Sequence, residues 1–339
     1  MYDIVTIGAA TRDIFLKSPL FKIVHDPKHL EKLGFPTGEA QCFALGGKIE
    51  VGQPIETIGG GAANAAVTFS RQGFKVATLV KIARDRNGEA VMDNCKKENV
   101  ALLPLFDKKV GTAYSVILLS SSGERTILNF RGASEDIKQS EVPFAQLKAR
   151  WAYISTGKIH LPVMKSIITH LRKNNVKIAM NLSRYYLNMG LKALRPILSE
   201  LDVILLNREE AAYLMGCKYE EEEKIFKKFD EVVKGIAVMT DGPLGVLVSD
   251  GRTIYHAGIF KEKKIEDRTG AGDAFGSGFV TALIGAGKID EKSIREAIRV
   301  GSANATSVVE YIGATQGVLR KKDIKNPRWK KLSIKIRTI

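Results

Sequence analysis

Short apolar runs alternate along this chain with longer segments of helical periodicity. Extended runs are predicted at 2–8, 76–80, 151–155, 177–181, 203–206 and 235–239. Helices are predicted at 62–72, 88–98, 161–174, 190–198, 208–215, 274–284 and 293–309. Short apolar strands between helices of about 10–15 residues favour βαβ units, with a mostly parallel sheet and helices on both faces. We therefore predict an α/β fold that binds ligands at the carboxyl ends of its strands.

Three segments interrupt this alternation, at about 13–17, 40–58 and 112–131. In the third, two apolar runs flank Ser121-Ser122-Gly123, which predicts a β-hairpin. These segments indicate a small antiparallel sheet, either separate from the main sheet or added to its edge.

The most informative motif is a glycine-rich turn that opens a helix, Asp267-Arg268-Thr269-Gly270-Ala271-Gly272-Asp273. Backbone N–H groups at Gly270, Ala271 and Gly272 would point at a ligand above the turn, where the helix dipole favours an anion. A carboxylate beside such a turn suits a general base, because it can take a proton from a reacting group. The alternative for Asp273 is a simple helix N-cap.

Composition and spacing exclude several other classes. The chain has 339 residues with a net charge of +15, and no apolar run is long enough to span a bilayer. Its first residues read as a strand rather than a signal peptide, which predicts a cytoplasmic protein. The three cysteines lack metal or disulfide spacing, and the histidines lack metal spacing except for His25 and His29, which lie among loop-like Pro and Lys residues. The sequence also lacks a P-loop and the G-x-G-x-x-G dinucleotide turn.

The basic charge is mostly mixed with acidic residues, and only the segment 320–331 is a continuous basic block. We interpret residues 321–339 as a solvated basic tail. This pattern argues against nucleic-acid binding, because such binders concentrate charge on one face with interleaved aromatic residues.

Four motifs in order resemble the ribokinase/PfkB family of carbohydrate and nucleoside kinases. The turn D-R-T-G-A-G-D-A-F resembles its second signature, and Gly59-Gly60-Gly61-Ala62-Ala63-Asn64 resembles its first. Between them, Asn207-Arg208-Glu209-Glu210 resembles its N-x-x-E motif, and 240–245 resembles its T-x-G-x-x-G nucleotide segment. The resemblance covers residues 1–320. It implies one ribokinase-like kinase domain whose three interrupting segments form a lid over the acceptor.

The resemblance also implies a role for each motif. Asp273 would be the general base, and the turn formed by Gly270, Ala271 and Gly272 would be the anion hole. The acceptor would contact Asp13, Gly60, Gly61 and Asn64. ATP would contact Asn207, Thr240, Gly242, Gly245, Ser302 and Asn304. Mg²⁺ would be held through water by Glu210, and a monovalent cation such as K⁺ by Asp267, Thr269 and Gly313. For Asn207 and Glu210 a helix capping box remains the alternative, and Arg268 replaces the commoner Thr beside the cation site.

The sequence does not identify the molecule that accepts the phosphate. Gly61 stands where ribokinases usually carry Lys, and Lys158-Ile159-His160 stands where they carry a sugar-contacting Glu. We expect phosphorylation of a primary hydroxyl on a small sugar, with a nucleoside as the alternative because Asn181-Leu182-Ser183 resembles a segment of adenosine kinases. A non-catalytic sugar- or nucleic-acid-binding module is the distant alternative. The many apolar residues of the lid predict a homodimer formed through it.

Overall fold

The computed structural model describes residues 1–34, 38–120 and 125–338. Within these ranges the strands are β1 (Tyr2–Gly8), β2 (Thr11–Lys17), β3 (Ile23–His25), β4 (Glu39–Gln41), β5 (Ile55–Gly59), β6 (Val76–Ala83), β7 (Ala101–Asp107), β8 (Tyr114–Leu119), β9 (Arg125–Phe130), β10 (Ala149–Ser155), β11 (Lys177–Asn181), β12 (Val203–Asn207), β13 (Ile236–Thr240), β14 (Val246–Ser249), β15 (Thr253–Ala257) and β16 (Ile334–Thr338). The α-helices are α1 (Pro27–Lys32), α2 (Gly61–Arg71), α3 (Arg86–Lys97), α4 (Leu161–Lys173), α5 (Arg184–Leu187), α6 (Gly190–Leu198), α7 (Arg208–Met215), α8 (Glu222–Asp230), α9 (Ala271–Ala286) and α10 (Glu291–Val308).

The central sheet has the strand order β16-β15-β14-β13-β12-β11-β10-β1-β6-β7. The seven neighbouring strands β7, β6, β1, β10, β11, β12 and β13 run parallel to one another. At the other edge of the sheet, β14, β15 and β16 each pair antiparallel with the strand before them. The predicted α/β fold is therefore confirmed. The parallel strands bring their carboxyl ends, and the residues that follow them, to one edge of the sheet.

Helices cover both faces of this sheet, as the alternation of strand and helix predicts. Along β1, Val5 and Ile7 face a core shared with α4, α6, α7 and α8. Ile4 faces the opposite core, which is shared with α2, α3, α9 and α10. Both faces are apolar because a parallel strand covered on each side must bury every side chain. The helices α9 and α2, which carry the two glycine motifs, lie on the same face.

The lid is a separate sheet of order β5-β2-β8-β9, so the hairpin of β8 and β9 is confirmed. The predicted turn Ser121-Ser122-Gly123 lies outside the described residues. The segment 40–58 was predicted as lid throughout, and this is wrong for most of its length. Residues 39–41 pair with β3 in a separate two-stranded sheet, and only 55–58 of that segment join the lid, within β5. Glycines at 46, 47 and 52 and Pro54 disfavour strand pairing between them.

Residues 321–338 are not a solvated tail. Trp329 is buried and packs edge-to-face on Phe260, and β16 pairs with β15 at the edge of the central sheet. Arg328 donates to Glu310 Oε2 at 3.0 Å, which fastens the segment to the loop after α10. The basic composition hides this packing, because Trp329 and β16 supply few apolar residues within a run of lysines and arginines. Among the described residues, no helix is long and apolar enough to cross a membrane.

Candidate active site

The glycine-rich turn begins α9 as predicted, with Gly270 as the N-cap in the left-handed region at φ 78°. A side chain at Gly270 would collide with Ala314, so this position requires glycine. The Ala274 N–H donates to Gly270 O at 2.8 Å and the Ala271 N–H only weakly to Arg268 O at 3.4 Å. Among the described residues the Gly272 and Asp273 N–H groups have no backbone acceptor. The turn therefore presents free donors at a helix N-terminus, as an anion site requires.

Asp273 lies in the first turn of α9, so the predicted helix start at residue 274 is three residues late. The N-cap alternative is wrong, because Gly270 occupies that position and the Asp273 carboxylate does not cap the helix. Instead, Asp273 Oδ2 accepts a hydrogen bond from Asn64 Nδ2 at 2.9 Å. Burial raises the pKa of Asp273 above its ordinary value, and the Asn64 hydrogen bond opposes part of that shift. A carboxylate with a raised pKa is a better proton acceptor for a hydroxyl group.

A second carboxylate, Asp13, is placed by the lid strand β2. It is buried, and its Oδ1 accepts a hydrogen bond from Thr11 Oγ1 at 2.9 Å. Its pKa is raised mainly by desolvation, although hydrogen bonds from Thr11 and Ser115 oppose the shift. A methyl group added to Gly59 would lie 1.9 Å from Asp13 Oδ2, so Gly59, which the site prediction omitted, gives this carboxylate its space.

The start of α2 lies beside Asp273. A methyl group added to Gly61 would lie 2.2 Å from Ser155 Oγ and 3.4 Å from Asp273 Oδ1, so this glycine borders the Asp273 carboxylate. Asn64 is buried, and its Oδ1 has no hydrogen-bond partner among the described residues. An unpaired buried acceptor costs about 1–3 kcal/mol. A donor from a bound molecule would remove that cost. Gly60 is required by the fold itself, since a side chain there would collide with Ala9 O.

The predicted ATP residues gather around a cavity of about 200 Å³ beside the turn. Thr240, Gly242, Gly245 and Ser302 line it together with Ala271 and Gly272 of the turn. The prediction for Asn304 is wrong. Its side chain is buried behind the cavity, where Nδ2 donates to Ala274 O at 2.8 Å and Oδ1 accepts from the Leu319 N–H at 3.0 Å. With its amide saturated, Asn304 holds α10 to α9 and to the segment after it.

A connected cavity of about 240 Å³ contains Asp273, Asn207 and Glu210. The capping box is formed in full, because Asn207 Oδ1 accepts from the Glu210 N–H at 2.8 Å and Glu210 Oε2 accepts from the Asn207 N–H at 3.0 Å. The second carboxylate oxygen of Glu210 has no protein donor among the described residues. Burial raises the pKa of Glu210. One free carboxylate oxygen fits a hydrated Mg²⁺, which takes few protein ligands beside phosphates.

The three residues predicted for a monovalent cation do come together. Asp267 Oδ1 accepts from Thr269 N at 2.9 Å and Oγ1 at 2.7 Å, and Oδ2 accepts from the Gly313 N–H at 3.1 Å. Asp267 is buried and has no cationic side chain within ion-pairing distance in the part of the chain that the structure describes. A buried carboxylate is stabilised by a nearby cation. The contacts among these three residues are themselves made by N–H and O–H donors rather than by cation ligands.

Sequence reasoning missed several residues of this site. Arg268 and Phe275 line the cavity beside the turn, and Phe275 lines the Asp273 cavity as well. Tyr153, on β10, is fully buried, and its hydroxyl has no partner among the described residues. Desolvation raises the pKa of Tyr153 well above its usual value, with the Asp273 charge adding to the shift. Arg268 and Phe275 belong to the quoted motif, whereas a tyrosine inside an apolar strand gives no sequence signal.

Comparison with known proteins agrees with the geometry. The family described as pfkB family carbohydrate kinase matches residues 35–321. The chain belongs to this family. It is 30% identical over 291 residues to a ribokinase from Haemophilus influenzae, with 81% of this chain and 89% of the relative covered. It is 30% identical to probable fructokinase-7 of Arabidopsis thaliana, with 76% and 79% covered.

Solved structures show that the similarity in fold covers nearly the whole chain. The adenosine kinase of Sinorhizobium meliloti superimposes with a TM-score of 0.74 at 22% identity, covering 92% of this chain and 95% of that one. At this identity the likeness shows the fold alone. Family membership makes the protein an ATP-dependent carbohydrate or nucleoside kinase.

Proposed function

We propose that this pfkB protein transfers the γ-phosphate of ATP to a primary hydroxyl of a small sugar. The observation that supports this most directly is a pair of carboxylates beside glycines: Asp13 is buried next to Gly59 at the end of β5, and Asp273 is half-buried next to Gly61 at the start of α2. Asp13 would accept hydrogen bonds from two neighbouring hydroxyls, since one carboxylate has two oxygens. Asn64 Oδ1 would accept a third, which satisfies its unpaired acceptor.

In this proposal Asp273 is the general base. Its carboxylate takes the hydroxyl proton as the acceptor oxygen bonds to the γ-phosphorus, and the bond from that phosphorus to the oxygen of ADP breaks. The N–H groups of the turn at Gly270–Gly272 stabilise the charge on the transferred group. Phosphoryl transfer depends mainly on positioning and on such electrostatic stabilisation. Burial matters here, because water is a competing acceptor that a covered site excludes.

Two cations complete the proposal. Mg²⁺ would be held through water by Glu210, next to Asn207, and would neutralise phosphate charge when it is bound. A monovalent ion such as K⁺ would be held by Asp267, Thr269 and the residues near Gly313. The Gly313 contact to Asp267 is made by its N–H, so any ligand from this loop would be a carbonyl oxygen of the loop rather than that group.

The exposed apolar face of the lid supports the proposal that the protein forms a homodimer. One of its faces packs on the body, where Phe15, Ile117 and Leu119 are buried with Ile312. On the opposite face, Leu128 and Phe130 are 56% and 43% exposed. Tyr114 pairs with Phe130 and Val116 with Leu128, which extends the apolar row across β8 and β9. We propose that a second copy covers this face.

A substrate panel tests the proposal. ADP formation is measured with ribose, fructose, 2-keto-3-deoxygluconate, adenosine and cytidine at equal concentrations. On this proposal a sugar should give a kcat/KM at least about tenfold above either nucleoside. The panel is needed because Asp13 alone does not separate the two classes, since a nucleoside carries the same ribose diol. The reverse order would establish the nucleoside alternative, which the Asn181-Leu182-Ser183 segment favours; Asn181 lines the Asp273 cavity. ADP formation with none of the five, in a protein that still binds ADP, would contradict the proposal.

A further inference from the structure

The basic block near the C-terminus has no part in the catalytic site. It packs instead against the far ends of α9 and α10, where it borders an open cavity of about 750 Å³. Lys321, Lys325 and Lys330 line this cavity, together with Ala286 at the last turn of α9. A helix rises about 1.5 Å per residue, so the end of α9 lies roughly 20 Å from Asp273 in its first turn. The cavity is therefore distinct from the catalytic cleft.

The charge of this cavity is uncompensated. Its charged lining consists of the three lysines and Arg299, against Glu296 alone, which leaves a formal charge of +3. Glu296 is already paired with Arg299, whose Nη1 also donates to Trp329 O at 2.8 Å. None of the three lysines forms an ion pair with any residue in the described ranges. The C-terminal carbonyls of α9 supply only about half an elementary negative charge. The positive charge of three lysines exceeds this partial negative charge.

The remaining walls are apolar and include an aromatic side chain. Phe74, Ala282 and Ile324 line the cavity, and Phe74 is only partly buried. Thr281 also lines it, and its hydroxyl has no hydrogen-bond partner among the described residues. Concave sites of about 300–1,000 Å³ with apolar walls and a few polar groups are typical of small-molecule binding. Lysine ammonium groups bind phosphate as point charges.

We propose that the cavity between α9, α10 and residues 321–330 binds a small organic phosphate whose ring or hydrocarbon body lies against Phe74. A small molecule fits better than nucleic acid. Nucleic-acid recognition uses an open stripe of positive charge that follows a phosphate backbone. Here the lysines converge on one concavity beside an apolar wall.

The test measures binding of phenyl phosphate, inorganic phosphate and neutral phenol by calorimetry without ADP, because ADP is itself an organic phosphate with a ring and would compete at the proposed cavity. Phenyl phosphate should bind at one site, at least about fivefold more tightly than inorganic phosphate, because its ring buries apolar surface. Phenol should not bind measurably. The combined variant Lys321→Ala, Lys325→Ala and Lys330→Ala should weaken phenyl phosphate binding at least about tenfold. Phe74→Ala should remove the preference for phenyl phosphate over inorganic phosphate.

A matched control changes the same charge elsewhere. Lys165, Lys173 and Lys192 are exposed and lie on α4 and α6, so their combined replacement by alanine should leave binding unchanged. Retained ADP binding and an unchanged melting temperature show that each variant is folded. Equal phenyl phosphate affinity in the wild type and in the Lys321, Lys325 and Lys330 variant would overturn the proposal. A 20-base-pair duplex that binds through these lysines while phenyl phosphate does not would overturn it in favour of nucleic acid.

Discussion

Replacing Asp273 by asparagine tests the proposed base while changing little else. The carboxylate accepts one hydrogen bond from Asn64 at 2.9 Å, and an amide oxygen can accept the same bond. Removing the negative charge relieves the desolvation that raises the pKa of Asp273, so the melting temperature should stay equal or rise. What is lost is the proton acceptor.

A positioned general base contributes about 10²–10⁴-fold to a rate. At about 1.36 kcal/mol per tenfold change, Asp273→Asn should therefore raise the barrier by roughly 2.7–5.4 kcal/mol. The assay is steady-state ADP formation with the best acceptor of the panel, with ADP affinity measured separately by calorimetry. Turnover should fall at least about 10²-fold while ADP affinity stays within about threefold. Turnover within about tenfold of the wild type would refute the role of Asp273 as the base.

The pH dependence provides an independent check of the same residue. Because burial raises the pKa of Asp273, the wild-type kcat/KM should be full above that raised pKa and should fall as the pH drops through it. This acidic limb should lie above the ordinary aspartate range. In Asp273→Asn the limb should disappear, since no base remains to be protonated. An identical limb in both proteins would assign the titration to another group.

Three further predictions concern the acceptor, the metal and the assembly. Asn64→Ala should raise the acceptor KM more than it lowers kcat, because Asn64 would bind the acceptor alike in the ground and transition states; a kcat effect alone would contradict this. Glu210→Gln keeps an acceptor for the Asn207 N–H but removes the charge, so the Mg²⁺ concentration for half-maximal activity should rise; an unchanged Mg²⁺ titration would leave Glu210 a capping residue only. Light scattering at micromolar concentration should give the mass of a dimer for the wild type. Leu128→Asp should dissociate this dimer, whereas Ile289→Asp, an exposed control away from the lid, should not. A wild-type monomer would contradict the lid interface.

The sequence predicted the fold where one local signal was sufficient. Buried parallel strands read as apolar runs, and glycine turns before helices have a steric cause, so β1, β12 and the turn at Gly270 could be located from the residues alone. Pairs such as Asn64 and Asp273 were assigned to one site only through the family resemblance. Their spatial contact depends on α2 and α9 packing on the same face of the sheet.

Other features depend on tertiary packing that has no local signal. Asn304 looked like a polar lining residue, yet its amide is saturated by Ala274 and Leu319, which come close only in the folded chain. The basic segment 321–339 looked solvated, because one buried tryptophan and a short edge strand contribute little apolar character to a run of lysines. The lid was overextended over 42–54 although Gly46, Gly47, Gly52 and Pro54 give a local signal against strand pairing there.

Identifying the phosphorylated product tests the central claim most directly. With the best acceptor of the panel and ATP, the proton-coupled ³¹P spectrum of the purified product should show a phosphate monoester split into a triplet by two methylene protons. That pattern places the phosphate on a primary hydroxyl, as the proposed transfer beside Asp273 requires. A doublet from a single proton would place the phosphate on a secondary or anomeric hydroxyl and would contradict the account.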